Sequence, residues 1–387
     1  MEKIRLFLAG IGGYGCVYLE EWEKMNDPSV TIEGICEVMP GMEERFPIIK
    51  EKSIPVYHSV EDFYKEHEAD LAILATPIHL HQPQAVTCLE HGSNVLVEKP
   101  LCSTLQEAKE LLDKEKETGH FVAVGYQMNY DHGMRALKQD ILDGAFGKPI
   151  LFKTIHTFRR GYEYYHRNNW AGKVSVSSHL VNDSPVNNSN AHQFQSMLFL
   201  LGSTMERAAE VTDVRAELYR ANSDVENYDT AAFEVMTDCK VPVYYYTTHE
   251  CRQPEFGPVV EFQFEDAVVS VQNVAEKGGE RYYVAEWKDG RRKIYGNLIY
   301  SQSLQKMYDA IECTRHGGHP VCTVQTAGSH LEVVARLASM PIRNIDPEQL
   351  ERWDLENDHM IHIKNLEEIF MECFEKNQLP SEIGVKW

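Results

Sequence analysis

IRLFLAGIGGYG, residues 4–15, runs from a short apolar segment straight into a cluster of glycines. The spacing Gly10-x-Gly12-x-x-Gly15, with Gly13 and Tyr14 inside it, is weak alone, because glycine fills 24 of 387 positions and many loops satisfy the pattern. Its surroundings give it weight. A helical spacing around Tyr18, Leu19 and Trp22 follows, and Glu37 stands 22 residues beyond Gly15 at the end of the next apolar run. Together these form a dinucleotide fingerprint: glycines let the backbone approach a pyrophosphate at a helix N-terminus, and the carboxylate takes the ribose hydroxyls. The competing reading is a tight turn that holds nothing. Glu37 would repel a 2′-phosphate, and the next basic side chain is Arg45, so the expected cofactor is NAD rather than NADP.

Further along come TIEGICE (31–37), DLAILATP (70–77), NVLVE (94–98) and HFVAVGY (120–126), separated by polar helix-like stretches such as LQEAKELLDKEKETGH. Short apolar strands alternating with amphipathic helices imply βαβ units and a parallel sheet. Residues 1–125 are therefore expected to form an α/β, doubly wound Rossmann domain. The length leaves room for a second domain with its own core. A formal charge of −21 disfavours nucleic acid and anionic membrane surfaces as partners. No apolar run approaches the ~18 residues of a membrane span, and MEKIR leads into the first strand without a cleavable signal, so a cytoplasmic location is expected. The nine cysteines are scattered and contain no CxxC pair, which favours reduced thiols over disulfides or a zinc site.

The fourth apolar run ends on Glu98, Lys99 and Pro100. In an open α/β sheet ligands sit beyond the carboxyl ends of the strands. A lysine there can hydrogen-bond a substrate hydroxyl and take part in proton transfer as hydride leaves the carbinol carbon. A surface ion pair is the plainer alternative. The order GIGGYG, ATPIHLH, VEKP, GYQMNY resembles the glucose-fructose oxidoreductase, inositol dehydrogenase and MocA (Gfo/Idh/MocA) family, well over the first 150 residues and loosely thereafter. The resemblance implies that Lys99 is catalytic, that Glu98 helps hold the nicotinamide side, and that Thr76, Pro77, His81 and Gln127 lie near the dinucleotide. His79 and His81 are too few ligands for a metal, and none is expected.

After Tyr126 the runs TAAFEVMT, VPVYYYTTHE, VVEFQFED, AVVSVQN and RYYVAEW follow one another, dense in β-branched and aromatic residues. They imply a large, mostly antiparallel open sheet in an α+β domain over residues 126–340, with 341–387 as a C-terminal extension. The family resemblance implies that one face of this sheet makes a homodimer or homotetramer contact. Tyr244, Tyr245 and Tyr246 are expected in sheet packing or such an interface. Helix-like segments between Ser303 and Met340 are expected to close the second domain.

Family members carry an aspartate, a glycine and a histidine at alternate positions before a helix. By that resemblance NDSPVNNSNAHQFQSMLFLLG (182–202) places His192 at the histidine, Asn188 at the aspartate and Asn190 at the glycine. An amide accepts no proton, so acid–base work falls on His192 and Lys99, while Asn188 orients a hydroxyl. Asp183 is either a substitute carboxylate or a cap. Arg159, Arg160, Tyr162, His166 and Trp170 suit a sugar pocket or an ordered loop equally. The expected activity is NAD-dependent oxidation of a hydroxyl on a sugar, cyclitol or glycoside. Two readings stay open beside it: a redox-neutral glycosidase that uses NAD as a transient oxidant, and a non-catalytic NAD-binding regulator.

Overall fold

The computed structural model describes residues 3–297, 303–356 and 358–387. Strands β1 (Ile4–Ala9), β2 (Val30–Cys36), β3 (Val56–Tyr57), β4 (Leu71–Leu74), β5 (Asn94–Val97) and β6 (Val122–Val124) form one parallel sheet in the order β3-β2-β1-β4-β5-β6. β1, β4, β5 and β6 are almost entirely buried apolar residues, as a sheet covered on both faces requires. Local signals set the helix ends. Thr104 and Glu107 form a reciprocal capping box at the start of Leu105–Thr118, and Gly119 ends that helix at φ 75°.

Two units divide the chain: residues 1–130 with 302–328, and 131–301 with 329–387. The helix Gln305–His316, expected with the second domain, belongs to the first. Its buried stripe of Met307, Ala310 and Ile311 joins the core made by Leu6, Leu8, Ile73 and Leu96.

The second unit contains β7 (Pro149–Phe158), a small hairpin of β8 (Ser175–Val176) and β9 (His179–Leu180), and then β10 (Val211–Arg220), β11 (Thr230–Thr237), β12 (Pro242–Thr248), β13 (Glu255–Phe264), β14 (Ala267–Val274), β15 (Glu280–Trp287), β16 (Arg292–Asn297) and β17 (Ile342–Asn344). Nine of these make one open sheet in the order β16-β15-β14-β13-β7-β12-β11-β10-β17. Most pairings are antiparallel, but β12 with β7 and β10 with β17 are parallel. The helix Ala191–Leu200 packs on one face, with Phe194 5.0 Å from Phe233 and 5.3 Å from Tyr245, ring centre to ring centre.

The opposite face, where a homo-oligomer contact was expected, is covered over β7, β12, β11 and β10 by the chain's own C-terminal segment. Strands β18 (Leu350–Leu355) and β19 (Asp358–Ile363) and the helix Leu366–Lys376 bring Ile361, Ile363, Leu366, Phe370 and Phe374 onto Ile155, Tyr219, Ala232 and Tyr246. Tyr246 Oη donates to the carbonyls of Cys373 and Gln378 at 3.1 and 2.9 Å, and Lys153 Nζ donates to Phe374 O at 2.9 Å. The tyrosine run is sheet packing. Tyr245 points to the other face and donates to Asn190 O at 3.1 Å.

Candidate active site

The order of the parallel sheet reverses between β1 and β4, and ligands of such sheets bind at that switch point. Gly10, the first residue after β1, has φ 85°, and a Cβ there would lie 2.7 Å from Ala75 O just beyond β4. The glycine therefore permits both the turn and the close approach. Gly12 N donates to Glu37 Oε2 at 2.6 Å, while Glu37 Oε1 accepts from the amides of Val38 and Met39 at 2.8 and 2.9 Å. A Cβ on Gly12 would meet that carboxylate at 3.0 Å, whereas one on Gly13 would meet nothing within 4 Å. The loop thus leaves open space above Gly13, beside the start of the helix Cys16–Met25, with a fixed carboxylate on one flank. Those features fit a dinucleotide whose phosphates would lie over Gly13 and whose ribose would lie at Glu37. Arg45 Nη1 donates to Gly12 O at 2.7 Å, so the basic residue that looked remote in sequence reaches the loop.

Thr76 and Pro77 lead from β4 into the helix Ile78–Glu90, and Thr76 Oγ1 donates to Gln84 at 2.6 Å. His81 is buried, with Nε2 2.8 Å from Thr76 O and Nδ1 2.9 Å from Pro100 O. Burial pushes its pKa down against the opposite pull of the two carbonyls, and the neutral ring, with a single N–H, donates to one carbonyl at a time between these two loops. Gln127 opens the short helix after β6.

Glu98, at the end of β5, is buried, and Tyr18 Oη donates to its Oε1 at 2.5 Å. The same oxygen ion-pairs with Lys306, a residue the sequence reading passed over. Burial raises the Glu98 pKa, but the Lys306 charge and the Lys306 and Tyr18 hydrogen bonds outweigh it and hold the carboxyl below the usual range. Half-buried Lys99 follows, its amide donating to Glu98 Oε2 at 3.1 Å, and the Lys99–Pro100 bond is cis. Lys306 left one sequence signal: with Arg315 it is one of two charged members of the otherwise apolar buried stripe of its helix.

In the second unit Asn188, Ser189 and His192 are half-buried around the start of the helix Ala191–Leu200. Asn188 Nδ2 donates to Asp183 Oδ1 at 2.8 Å, and Asp183 Oδ2 accepts from Gly172 N at 2.7 Å. The substitute carboxylate is thus committed to the amide and the loop. Asn190 is buried and donates to Thr247 Oγ1 at 2.6 Å. Between the two amides, Ser189 Oγ lies 2.5 Å from His249 Nε2, and Tyr165 Oη lies 2.8 Å from His249 Nδ1. Burial, followed by the charges of Arg160 and Arg167, pushes the His249 pKa well down, so the ring between the two hydroxyls is neutral. Serine 189, His249 and Tyr165 belong to no motif of fixed spacing. The stretch 159–170 supplies Tyr165 and stacks Arg160 and Arg167 on Tyr164 at 4.7 and 3.6 Å. Tyr162 stacks on His166 at 3.6 Å, Arg167 lies 5.0 Å from the Trp170 ring, and Arg159 lies 5.0 Å from the Trp353 ring. This stretch is therefore an ordered aromatic-cationic layer.

Residues 4–126 match the Gfo/Idh/MocA model of the oxidoreductase family with an NAD-binding Rossmann fold. Over that segment the chain is similar to the NAD-binding domain of the Gfo/Idh/MocA oxidoreductases. The chain is 37% identical over 155 residues to scyllo-inositol 2-dehydrogenase (NAD(+)) of Bacillus subtilis, covering 39% of this chain and 44% of that protein. It is 30% identical over 161 residues to 2,7-anhydro-N-acetylneuraminate hydratase of Mediterraneibacter gnavus, covering 41% and 40%. The chain spans about half or less of the length of the curated relatives it matches. Among solved structures, the WlbA dehydrogenase of Bordetella pertussis in complex with NADH and UDP-GlcNAcA superposes with a TM-score of 0.70 at 19% identity, over 87% of this chain and 96% of that one, which shows a shared fold. No described helix of the protein is long and apolar enough to cross a membrane.

Proposed function

We propose that this protein is an NAD-dependent oxidoreductase acting on a hydroxyl of a sugar, cyclitol or glycoside. The observation that carries the reading is Lys99 at the carboxyl end of β5, joined through Glu98 and Tyr18 to the helix that follows the glycine loop. A bound nicotinamide would supply the hydride acceptor. Lys99 would hold the reacting hydroxyl and move its proton, while His192 would serve as the second acid–base group and Asn188 would orient a neighbouring hydroxyl. Glu37, with its carboxylate fixed beside Gly12, supports NAD over NADP, and a carbohydrate substrate agrees with the inositol dehydrogenase relative.

One observation favours a second reading, a redox-neutral cycle that oxidises, eliminates and reduces again. The aspartate position holds Asn188, whose amide nitrogen donates to Asp183, and one relative is a hydratase of an anhydro sugar. Incubation with NAD and a panel of inositols, sugars and aryl glycosides, with nicotinamide absorbance and product chromatography read together, separates the two. Reduced nicotinamide in proportion to oxidised product supports the dehydrogenase; cleaved or hydrated product without net reduction supports the cycle. Neither outcome with any of the substrates would defeat both.

A further inference from the structure

In the second unit Arg160 and Arg167 lie against one ring, that of Tyr164, with their guanidinium carbons 4.7 and 3.6 Å from its centre. The Tyr164 ring centre is in turn 5.4 Å from that of His249, and His249 Nε2 is 2.5 Å from Ser189 Oγ. Ser189 lies between Asn188 and His192, the residues read as orienting and deprotonating a substrate hydroxyl. A continuous set of contacts therefore leads from that hydroxyl group's handling residues to two cations.

Among the described residues neither guanidinium forms an ion pair. Arg160 Nη1 makes one long bond, to Arg159 O at 3.3 Å, and its Nε is buried with no partner. Arg167 Nη1 donates to Tyr164 O. Two acids whose charge reaches this stretch have other contacts: Asp183 accepts from Gly172 N and Asn188 Nδ2, and Glu255 lies 3.1 Å from His156 Nε2. Stacking on Tyr164 orients the guanidiniums but cancels neither charge, and like charges gathered at one ring repel. Their field is felt at His249, where it adds to burial in keeping the imidazole neutral, so the ring contributes no third cation. A guanidinium stacked by its face still offers edge N–H donors, which suit a carboxylate or phosphate.

We propose that Arg160 and Arg167 form an anion subsite beside Ser189 and His249, and that the substrate is an acidic sugar or cyclitol whose carboxylate or phosphate is held there. The substrate class rests on the reading of a carbohydrate oxidoreductase; the anion subsite stands without it. The guanidiniums hold the anionic group by charge-assisted hydrogen bonds, and Ser189 Oγ, bonded to a neutral ring, exchanges a hydrogen bond with a sugar hydroxyl.

Binding and turnover are read on the same protein. Glucuronate, galacturonate, glucose 6-phosphate, glucose, galactose and myo-inositol are titrated calorimetrically into the protein with NADH, and each is then offered with NAD while nicotinamide absorbance is followed. At least one acid is expected to bind about tenfold tighter than the neutral sugar of the same configuration, with an affinity that falls as salt rises. A uronate that binds best identifies the group as a carboxylate, and the sugar phosphate identifies it as a phosphate. Arg160→Gln and Arg167→Gln are each expected to weaken the acid by about tenfold to a hundredfold and to leave the neutral sugar within about twofold, while Arg167→Lys retains part of the affinity. No acid binding tighter than its neutral counterpart overturns the subsite, as do equal losses for acid and neutral sugar in the variants. Should Arg160→Gln not fold, Arg167→Gln, at an exposed position, carries the same comparison. Failure of the oxidoreductase reading looks different: an acid would bind and respond to the variants, yet no sugar, acidic or neutral, would reduce NAD.

Discussion

The six-stranded parallel sheet and the nine-stranded sheet differ in where each gathers its polar chemistry. In the parallel sheet the central strands are mostly buried apolar residues, and Gly10, Thr76, Glu98 and Lys99 all fall just past strand ends. Topology places them, because parallel strands all deliver their carboxyl ends to one edge. In the nine-stranded sheet one face is packed by the helix Ala191–Leu200 and much of the other by the segment 350–387. Its candidate groups, Ser189, His249 and Tyr165, meet through long-range hydrogen bonds rather than a rule of topology. A site built by topology can be read from spacing, whereas one built by tertiary contact is visible only once the chain is folded.

That contrast can be broken from the second unit first. Phe370 is fully buried in the C-terminal cover, and Phe370→Ala is expected to destabilise the protein by about 3–5 kcal/mol in denaturant unfolding while leaving NADH affinity unchanged. A loss below about 1 kcal/mol would mean that the segment only rests on the sheet.

A smaller effect is expected from Asp229, wholly buried at the start of the β11 hairpin region and bonded by the amides of Ala221 and Asn222, both at 2.8 Å. Burial raises its pKa to about 6 from an ordinary 3.8. A carboxyl that binds its proton more tightly when folded adds stability that is complete below pH 3.8 and is lost as pH rises to about 6. Its share of that loss is at most about 3 kcal/mol. Unfolding measured across this window is expected to show a flatter profile in Asp229→Asn than in the unsubstituted protein; parallel profiles would refute the assignment.

The smallest effect sharpens the first unit. Glu37→Gln removes the charge beside the proposed ribose site and weakens three amide bonds. The proposed preference for NAD over NADP is expected to fall about tenfold, on the scale of one charge-assisted hydrogen bond, when dissociation constants are compared. An unchanged ratio would move the discrimination elsewhere, with Arg45 at the loop the next residue to examine.

Much of the first unit was legible because its signals are local. The strand, glycine loop and Glu37 lie within 37 residues, and the capping box and terminal glycine mark Leu105–Thr118 directly. Lys306 was not legible as a partner of Glu98: 208 residues separate them, and no local rule relates a helix position to a strand end. The helix Leu366–Lys376 lies in the stretch read as a C-terminal extension, and the sheet face it covers was not legible, because that pairing joins residues such as Phe374 and Lys153, 221 positions apart. Asn190 read as a gap in a motif, and only the fold shows it committed to Thr247 and Tyr245.

The most direct test of the central claim compares the unsubstituted protein with Lys99→Met in a single turnover with NAD and a carbohydrate substrate, alongside NADH titration of both. The account expects the rate of nicotinamide reduction to fall by roughly a hundredfold to ten-thousandfold while NADH affinity stays within about twofold. Equal rates in the two proteins would contradict it.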